Sequence, residues 1–360
     1  MREIRKILII RLSSIGDIVL ATPLVRDLRN AFPESAIDFA VKEEYVDLIS
    51  TNPHISNVLA YEKHTGYRGL RKFKRLIRYG RYNIILDIHK NLRSVYLRTG
   101  SGADKVFTHK KHLLKRFVLV NFGINLYRNP QPVNKRYYYA VRKLNIQQGN
   151  AVTELYVPDK IFDYMKKIFL GSGLRQNQKI VTLCPGAGFK NKCWLPEGFA
   201  SVGDYFAEKH NAFIVILGGE GDEEVCGKVK SLMRSHSVDF CSRTTLLQAA
   251  AAVKLSSLVI SNDSGLMHIA QTQKKPVLAI FGPTVRELGY FPLPVNSFVI
   301  EKELSCRPCT KNGLDHCPKK HFKCMRDITD KEVIKAAEQL FLSHISAAQE
   351  HHGQNLVSSL

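Results

Sequence analysis

The chain has 360 residues, 44% hydrophobic and 24% charged, which suffices for two ordinary cores and is too apolar for global disorder. No apolar run approaches the ~20 residues that a bilayer span needs, which excludes a transmembrane helix. The formal net charge of +21 is unevenly placed: between Lys63 and Arg116 sixteen Lys/Arg stand against two acids, Asp87 and Asp104. Such a block fits an anionic membrane surface, a phosphorylated glycolipid or nucleic acid, or else a solvated surface of one sign, and charge alone does not choose.

The first residues are basic and then apolar, as in a signal peptide, but the apolar part is short and runs into Ser-Ser-Ile-Gly-Asp without a small-residue cleavage pattern. It is therefore expected to be a first β-strand in a cytosolic protein. Four of the eight cysteines are scattered singly through predicted elements, which suits that compartment. Short apolar runs predict strands at 6–11, 36–41, 57–60 and 83–88, buried on both faces in a parallel sheet. Helical spacing predicts helices at 18–31, 43–50 and 67–79. The pattern turns irregular from Leu126 to Val157, and a helix at 159–170 ends in Gly171-Ser172-Gly173, where the domain junction is expected. A second alternation follows. Strands fit Ile180–Cys184, Ala212–Leu217, Leu258–Ser261 and Val277–Phe281, and helices fit 196–209, 221–233, 245–253, 265–272 and 330–343. Both halves thus read as Rossmann-like α/β layers.

Two strand-to-helix turns stand out. In the first, the strand Ile7–Ile10 leads through Arg11-Leu12-Ser13-Ser14-Ile15-Gly16-Asp17 into a helix, putting the Asp17 carboxylate at a helix N-terminus. That is a place for a general base, and it is equally what a plain N-cap looks like. In the second, Leu258–Ile260 leads into Asp263-Ser264-Gly265. Free N–H groups of a helix start, with the Ser264 hydroxyl, can cradle a phosphate, although an ordinary Asp/Ser cap reads the same way. No Gly-x-Gly-x-x-Gly follows the first strand and no Walker A pattern is present, which argues against a dehydrogenase, a kinase or an ATPase.

The pairing of Ser13-Ser14-Ile15-Gly16-Asp17 with Asp263-Ser264-Gly265-Leu266-Met267-His268 resembles glycosyltransferase family 9, the ADP-heptose:lipopolysaccharide heptosyltransferases. Three further stretches match in order: Cys184-Pro185-Gly186-Ala187-Gly188 through Lys192-Cys193-Trp194-Leu195-Pro196, Leu217-Gly218-Gly219-Glu220, and Phe281-Gly282-Pro283-Thr284. The resemblance implies an α/β protein of two Rossmann-like doubly wound domains facing across a cleft, the GT-B type. Residues 1–172 are then expected to bind the acceptor and 173–345 the nucleotide-sugar donor, with a polar tail over 346–360. It implies an inverting, metal-independent transfer of a heptose from ADP-heptose to the Kdo/heptose inner core of lipopolysaccharide. A cytoplasmic enzyme at the inner face of the bacterial membrane would carry it out. A relative using another nucleotide sugar is the near alternative.

By the same resemblance Asp17 is the base and Lys192 binds the donor, aided by N–H groups of Gly186, Ala187 and Gly188 and by Ser264 and Gly265. Asp263 would hold hydroxyls of the transferred sugar, and Glu220 would contact the nucleoside, unless it is only a first-turn glutamate. His268 packs or touches the ligand. Ser14 and Gly16 line the acceptor side. Lys90 and Arg93 follow a strand end and suit carboxylate or phosphate. No cofactor is expected for catalysis. Cys306, Cys309, Cys317 and Cys324, with His316 and His321 among them, have the content of a structural zinc site, although the second pair is spaced too widely for a standard ribbon. Reduced thiols or a labile disulfide are the other readings. With the basic block, these cysteines sustain one rival of a different class, a zinc-bearing nucleic-acid-binding protein.

Overall fold

Five short strands early in the chain form one parallel sheet. The computed structural model describes the backbone of residues 4–357 and the side chains of residues 4–346. In chain order come β1 (Lys6–Ile10), α1 (Ile15–Val19), α2 (Thr22–Ala31), β2 (Ala36–Lys42), β3 (Asn57–Tyr61), α3 (Gly66–Tyr79), β4 (Ile84–Asp87), α4 (Leu92–Arg98), β5 (Lys105–Thr108), α5 (Leu113–Phe122) and α6 (Val133–Tyr137). The sheet order is β3-β2-β1-β4-β5, with Ile9 opposite Phe39 on one side and Leu86 on the other. Ile7, Leu8, Ile9 and Ile10 are all fully buried, because helices cover both faces and an alternating pattern would leave polar groups in a core. The strand order reverses between β1 and β4, so the loops after these two strands open onto the switch point where such sheets bind ligands. Helix α3 turns Phe73 and Ile77 inward and keeps its arginines and Lys72 in water, while Lys74 is half-buried over the Tyr96 ring. Asn91 and Ser94 close a capping box at the start of α4.

The second sheet repeats the plan on a larger scale. It uses α7 (Asp159–Gly171), β6 (Ile180–Cys184), α8 (Pro196–His210), β7 (Phe213–Ile216), α9 (Glu223–Leu232), β8 (Ser237–Asp239), α10 (Leu246–Leu255), β9 (Leu258–Asn262), α11 (Gly265–Thr272), β10 (Val277–Phe281), β11 (Ser297–Glu301), α12 (Lys323–Arg326) and α13 (Asp330–Val357). The order is β11-β10-β9-β6-β7-β8, all parallel, with the reversal between β6 and β9. Alternate strand residues feed two cores. Val181, Leu183, Ile214, Ile216, Leu258 and Ile260 pack with Phe199, Phe206 and Phe341 on one face. Cys184, Phe213, Val215, Val259 and Ala279 pack with Met165 and Phe169 on the other.

Several boundaries differ from expectation. The chain divides into one unit of residues up to Leu113 plus Gln131–Tyr156, and a second of Leu114–Pro130 plus Val157 onward. The division therefore falls at 156/157 rather than 172/173. Gly171-Ser172-Gly173 ends α7, which belongs to the second unit because its Met165 and Phe169 fill that core. The expected helix at 43–50 is a 3₁₀ turn over Glu43–Leu48. Strands β5, β8 and β11 and helix α5 were not legible, the strands being short and partly exposed. The polar stretch after 345 continues α13 to Val357; residues 358–360 lie outside those described.

Candidate active site

In the first unit the loop after β1 delivers Asp17 into a set of partners. Ser14 takes the extended N-cap conformation of α1, which leaves Asp17 in the first turn. One carboxylate oxygen pairs with the Arg11 guanidinium and accepts a 3.3 Å hydrogen bond from the Ser14 hydroxyl. The other accepts 3.0 Å from the Tyr137 hydroxyl, which α6 supplies from 120 residues away. Arg11 also donates to the Ile88 carbonyl at 2.8 Å, tying the β1 loop to the β4 loop. Gly16 is buried in the same turn. Asp17 is thus more than a helix cap: the N-cap position belongs to Ser14, and the Asp17 carboxylate is gripped by a cation and a phenol.

The loop after β4 is shaped by Asp87, fully buried, which accepts from the backbone N–H of His89 and Lys90, from the Ser94 hydroxyl, and pairs with Arg98. Lys90 takes a left-handed backbone conformation and reaches the His109 carbonyl at 3.3 Å, while Lys111 donates to the Lys90 carbonyl at 2.8 Å. Burial, then the charge of Arg11, lowers both His89 and His109 to about 3, so both imidazoles are neutral near pH 7. Arg93 stands apart, exposed on α4 with no hydrogen bond or ion pair among the described residues. Sequence reading gave no site role to Arg11, Tyr137 or His109. Of these only Arg11 carried a local signal, as a cation in the same strand-exit loop as Asp17.

In the second unit the loops after β6 and β9 converge. Lys192 Nζ lies 2.6 Å from an Asp263 carboxylate oxygen, which also accepts 2.7 Å from the Thr284 hydroxyl in the loop after β10. Asn262 stitches the loops together: it donates to the Pro185 carbonyl at 2.7 Å and accepts from the Trp194 N–H at 3.0 Å. Trp194 is buried and donates its indole N–H to the Ile328 carbonyl at 3.0 Å, which anchors the lysine loop. Ser264 has N-cap backbone geometry on α11, but its hydroxyl contacts Ser261 at 3.1 Å and makes no cap bond. The first turn from Gly265 therefore lacks a side-chain cap, the condition for receiving an anion.

Asp222, which sequence reasoning passed over, links the two glycine loops. It accepts from the Gly219 N–H at 2.9 Å and lies so close to Gly186 that a Cβ there would sit 2.1 Å from its carboxyl carbon. Burial raises its pKa against the pull of backbone N–H donors. A side chain at Gly188 would meet nothing within 4 Å, and Ala187 lies partly exposed between the two glycines. Glu220 is exposed, whereas nearby Glu223 accepts from Gly221 and Ser242. His268 is buried on α11.

Of the readings open for the cysteine loop, the structure shows neighbouring, unbridged thiols. Cys306, Cys309, Cys317 and Cys324 are free thiols, and among the described residues no three metal-binding side chains converge to hold an ion. Cys324 lies buried on α12, where burial and the neighbouring thiols push it up to about 11, and Cys306 Sγ lies 3.7 Å from His321. The loop serves packing beside Lys192: the Leu314 carbonyl accepts from the Asn191 backbone N–H, and the Leu314 N–H donates to the Asn191 side-chain oxygen.

Two Rossmann-type parallel sheets with charged side chains gathered at strand ends are the fold of GT-B glycosyltransferases. Residues 70–319 match the family model described as glycosyltransferase family 9 (heptosyltransferase), and the chain belongs to this family. It is 27% identical to the lipooligosaccharide heptosyltransferase 2 of Campylobacter jejuni over 91% of this chain and 95% of that protein. The crystal structure of a family 9 glycosyl transferase from Veillonella parvula superposes with a TM-score of 0.80 at 26% identity, covering 94% of this chain and 98% of that one. The E. coli ADP-heptose lps heptosyltransferase II shares the fold at TM-score 0.74 and 21% identity, covering 94% and 99%. The chain is accordingly a glycosyltransferase, and family membership displaces the nucleic-acid-binding rival.

Proposed function

We propose that this enzyme moves a heptose from ADP-heptose onto the Kdo/heptose inner core of lipopolysaccharide, with inversion. The reading is supported above all by the Lys192–Asp263 pair at the uncapped start of α11. A diphosphate leaving group needs positive charge and N–H donors, and Lys192, the α11 N-terminus and the Gly186–Gly188 backbone offer them from the protein itself, so that no metal is needed for departure. Asp263, held by Thr284, suits hydroxyls of the transferred sugar, while Glu220 is assigned to the nucleoside. Asp17 takes the proton of the acceptor hydroxyl as that oxygen attacks the anomeric carbon opposite the departing ADP. One displacement, with no covalent intermediate, inverts the configuration. Arg11, Ser14 and Tyr137 hold the carboxylate in place for that step. Lys90 and Arg93 are the acceptor-side cations for core carboxylates or phosphates, and Lys111, which braces the Lys90 backbone, joins them. The acceptor is lipid-linked, which places the enzyme at the inner face of the cytoplasmic membrane.

The test is thermal shift with ADP-, GDP- and UDP-linked sugars, followed by transfer to heptose-deficient lipopolysaccharide. ADP-heptose at 100 times its dissociation constant stabilises by about 2.7 kcal/mol. A shift with another nucleotide sugar and none with ADP-heptose would assign a different donor, and retained anomeric configuration in the product would refute the single displacement.

A further inference from the structure

Helix α5 and the residues after it hold their apolar side chains in water. Of the ten residues of α5 only Leu119 is buried. Leu113 is 56% exposed, Leu114 72%, Phe117 56% and Phe122 65%, and Ile124 and Leu126 just beyond the helix remain exposed as well. Leu113, Leu114 and Phe117 share one helical face by their spacing. Phe117 and Phe122 touch edge to face with centroids 5.9 Å apart, so the patch is continuous. A soluble chain rarely leaves such a patch open without a partner for it.

The charge around the patch selects the partner. Between Asp104 and Glu154 there is no acidic residue, whereas ten Lys/Arg fall in that stretch, among them Lys110, Lys111, Lys115, Arg116 and Arg128. Lys115 leans over the Tyr127 ring at 5.7 Å, beside the apolar side chains. A carboxylate reaches the segment from outside: Glu287 accepts from Asn125. A second copy docking on this face would set lysine against lysine, and a nucleic acid would leave the leucines and phenylalanines wet. An anionic bilayer surface satisfies both features, with acyl chains for the apolar groups and headgroups for the cations.

We propose that Leu113–Tyr127 is an interfacial membrane anchor, its Leu114, Phe117, Phe122 and Ile124 entering the bilayer and its Lys115, Arg116 and the adjoining Arg128 meeting anionic headgroups. No helix among the described residues is long and apolar enough to cross a membrane, so this anchor lies in the interface. It deepens the proposed lipid-linked acceptor and rests on that reading for its purpose, but its test needs neither donor nor acceptor.

The full chain is sedimented with vesicles of phosphatidylethanolamine and phosphatidylglycerol, and with phosphatidylcholine alone. Anionic vesicles are expected to bind it, and the double variant Phe117→Ser/Phe122→Ser to weaken that binding at least about tenfold. Lys115→Gln/Arg116→Gln should weaken binding and flatten its salt dependence. Phe117→Trp supplies a depth probe, since Trp194 is buried; its emission should move to the blue on vesicles and be quenched by brominated acyl chains. Absence of vesicle binding, or binding that the phenylalanine variants leave unchanged, would overturn the proposal. So would a dimer in sedimentation equilibrium that those variants disperse. Vesicle binding with no heptose transfer would instead retain the anchor and remove the proposed function.

Discussion

The Lys192–Asp263 pair allows stability and ligand binding to be separated. Its side chains are 13% and 6% exposed and its charged atoms 2.6 Å apart, so each charge is largely out of water and depends on the other. Replacing Lys192 by Met leaves the Asp263 carboxylate with the Thr284 hydroxyl and without its cation. Breaking such a pair typically costs about 3–5 kcal/mol, and the Thr284 bond places this case at the lower end. For a unit of this size that corresponds to a fall in Tm of roughly 6–12 °C. Lys192→Met/Asp263→Asn removes both charges, and the double variant should recover about 2 kcal/mol relative to the sum of the single ones. Donor binding should behave differently. The charged hydrogen bond from Lys192 to the diphosphate is worth about 1.5–3 kcal/mol, so ADP should bind roughly ten- to a hundredfold more weakly to Lys192→Met, and the double variant should not restore it. Denaturant titration measures the first effect and calorimetric titration with ADP the second. Additivity within about 0.5 kcal/mol would show that the pair is not coupled. Unchanged ADP affinity would remove Lys192 from the donor site.

Asp17→Asn should lower turnover by ~10²–10⁴ while donor affinity stays at the wild-type value, and it should also lower Tm, because Arg11 loses its anionic partner; more than half the wild-type turnover would sink the assignment. Gly186→Ala drives a methyl into Asp222 and should cost about 1–3 kcal/mol and weaken the donor, whereas Gly188→Ala should do neither, as parallel melting curves would reveal. Acid should destabilise the first unit. His89 and His109 stay neutral in the fold down to about pH 3 but take up protons in the unfolded chain from about pH 6.5. Stability therefore falls as pH drops between these values, by at most roughly 1 kcal/mol per pH unit for each histidine. His89→Gln/His109→Gln should flatten that slope in urea titrations at several pH values, and an unaltered slope would contradict the assigned protonation states.

The alternation of apolar runs with helical spacing was enough to place β1, β2, β4, β6, β7, β9 and β10, because strands buried on both faces must be continuously apolar, and it also placed the edge strand β3 although that strand is only partly buried. The turns at Gly16-Asp17 and Asp263-Ser264-Gly265 were legible for a related reason: a strand end followed by small and acidic residues fixes a helix start whatever packs around it. Edge strands such as β5 and β8 escaped, since partial exposure relaxes the pattern. The partners that these turns meet came only from tertiary structure. Asp17 meets Tyr137 across 120 residues, Lys192 on the β6 loop meets Asp263 on the β9 loop, and Asp222 fits against Gly186 only because parallel strands bring their exits to one edge. The same holds for α5. Its composition looks like any core helix, and its exposure follows from which surfaces the rest of the chain had already covered. Periodicity is a property of neighbours in sequence, whereas partner choice and solvent exposure depend on where distant segments finish, and the fold alone decides that.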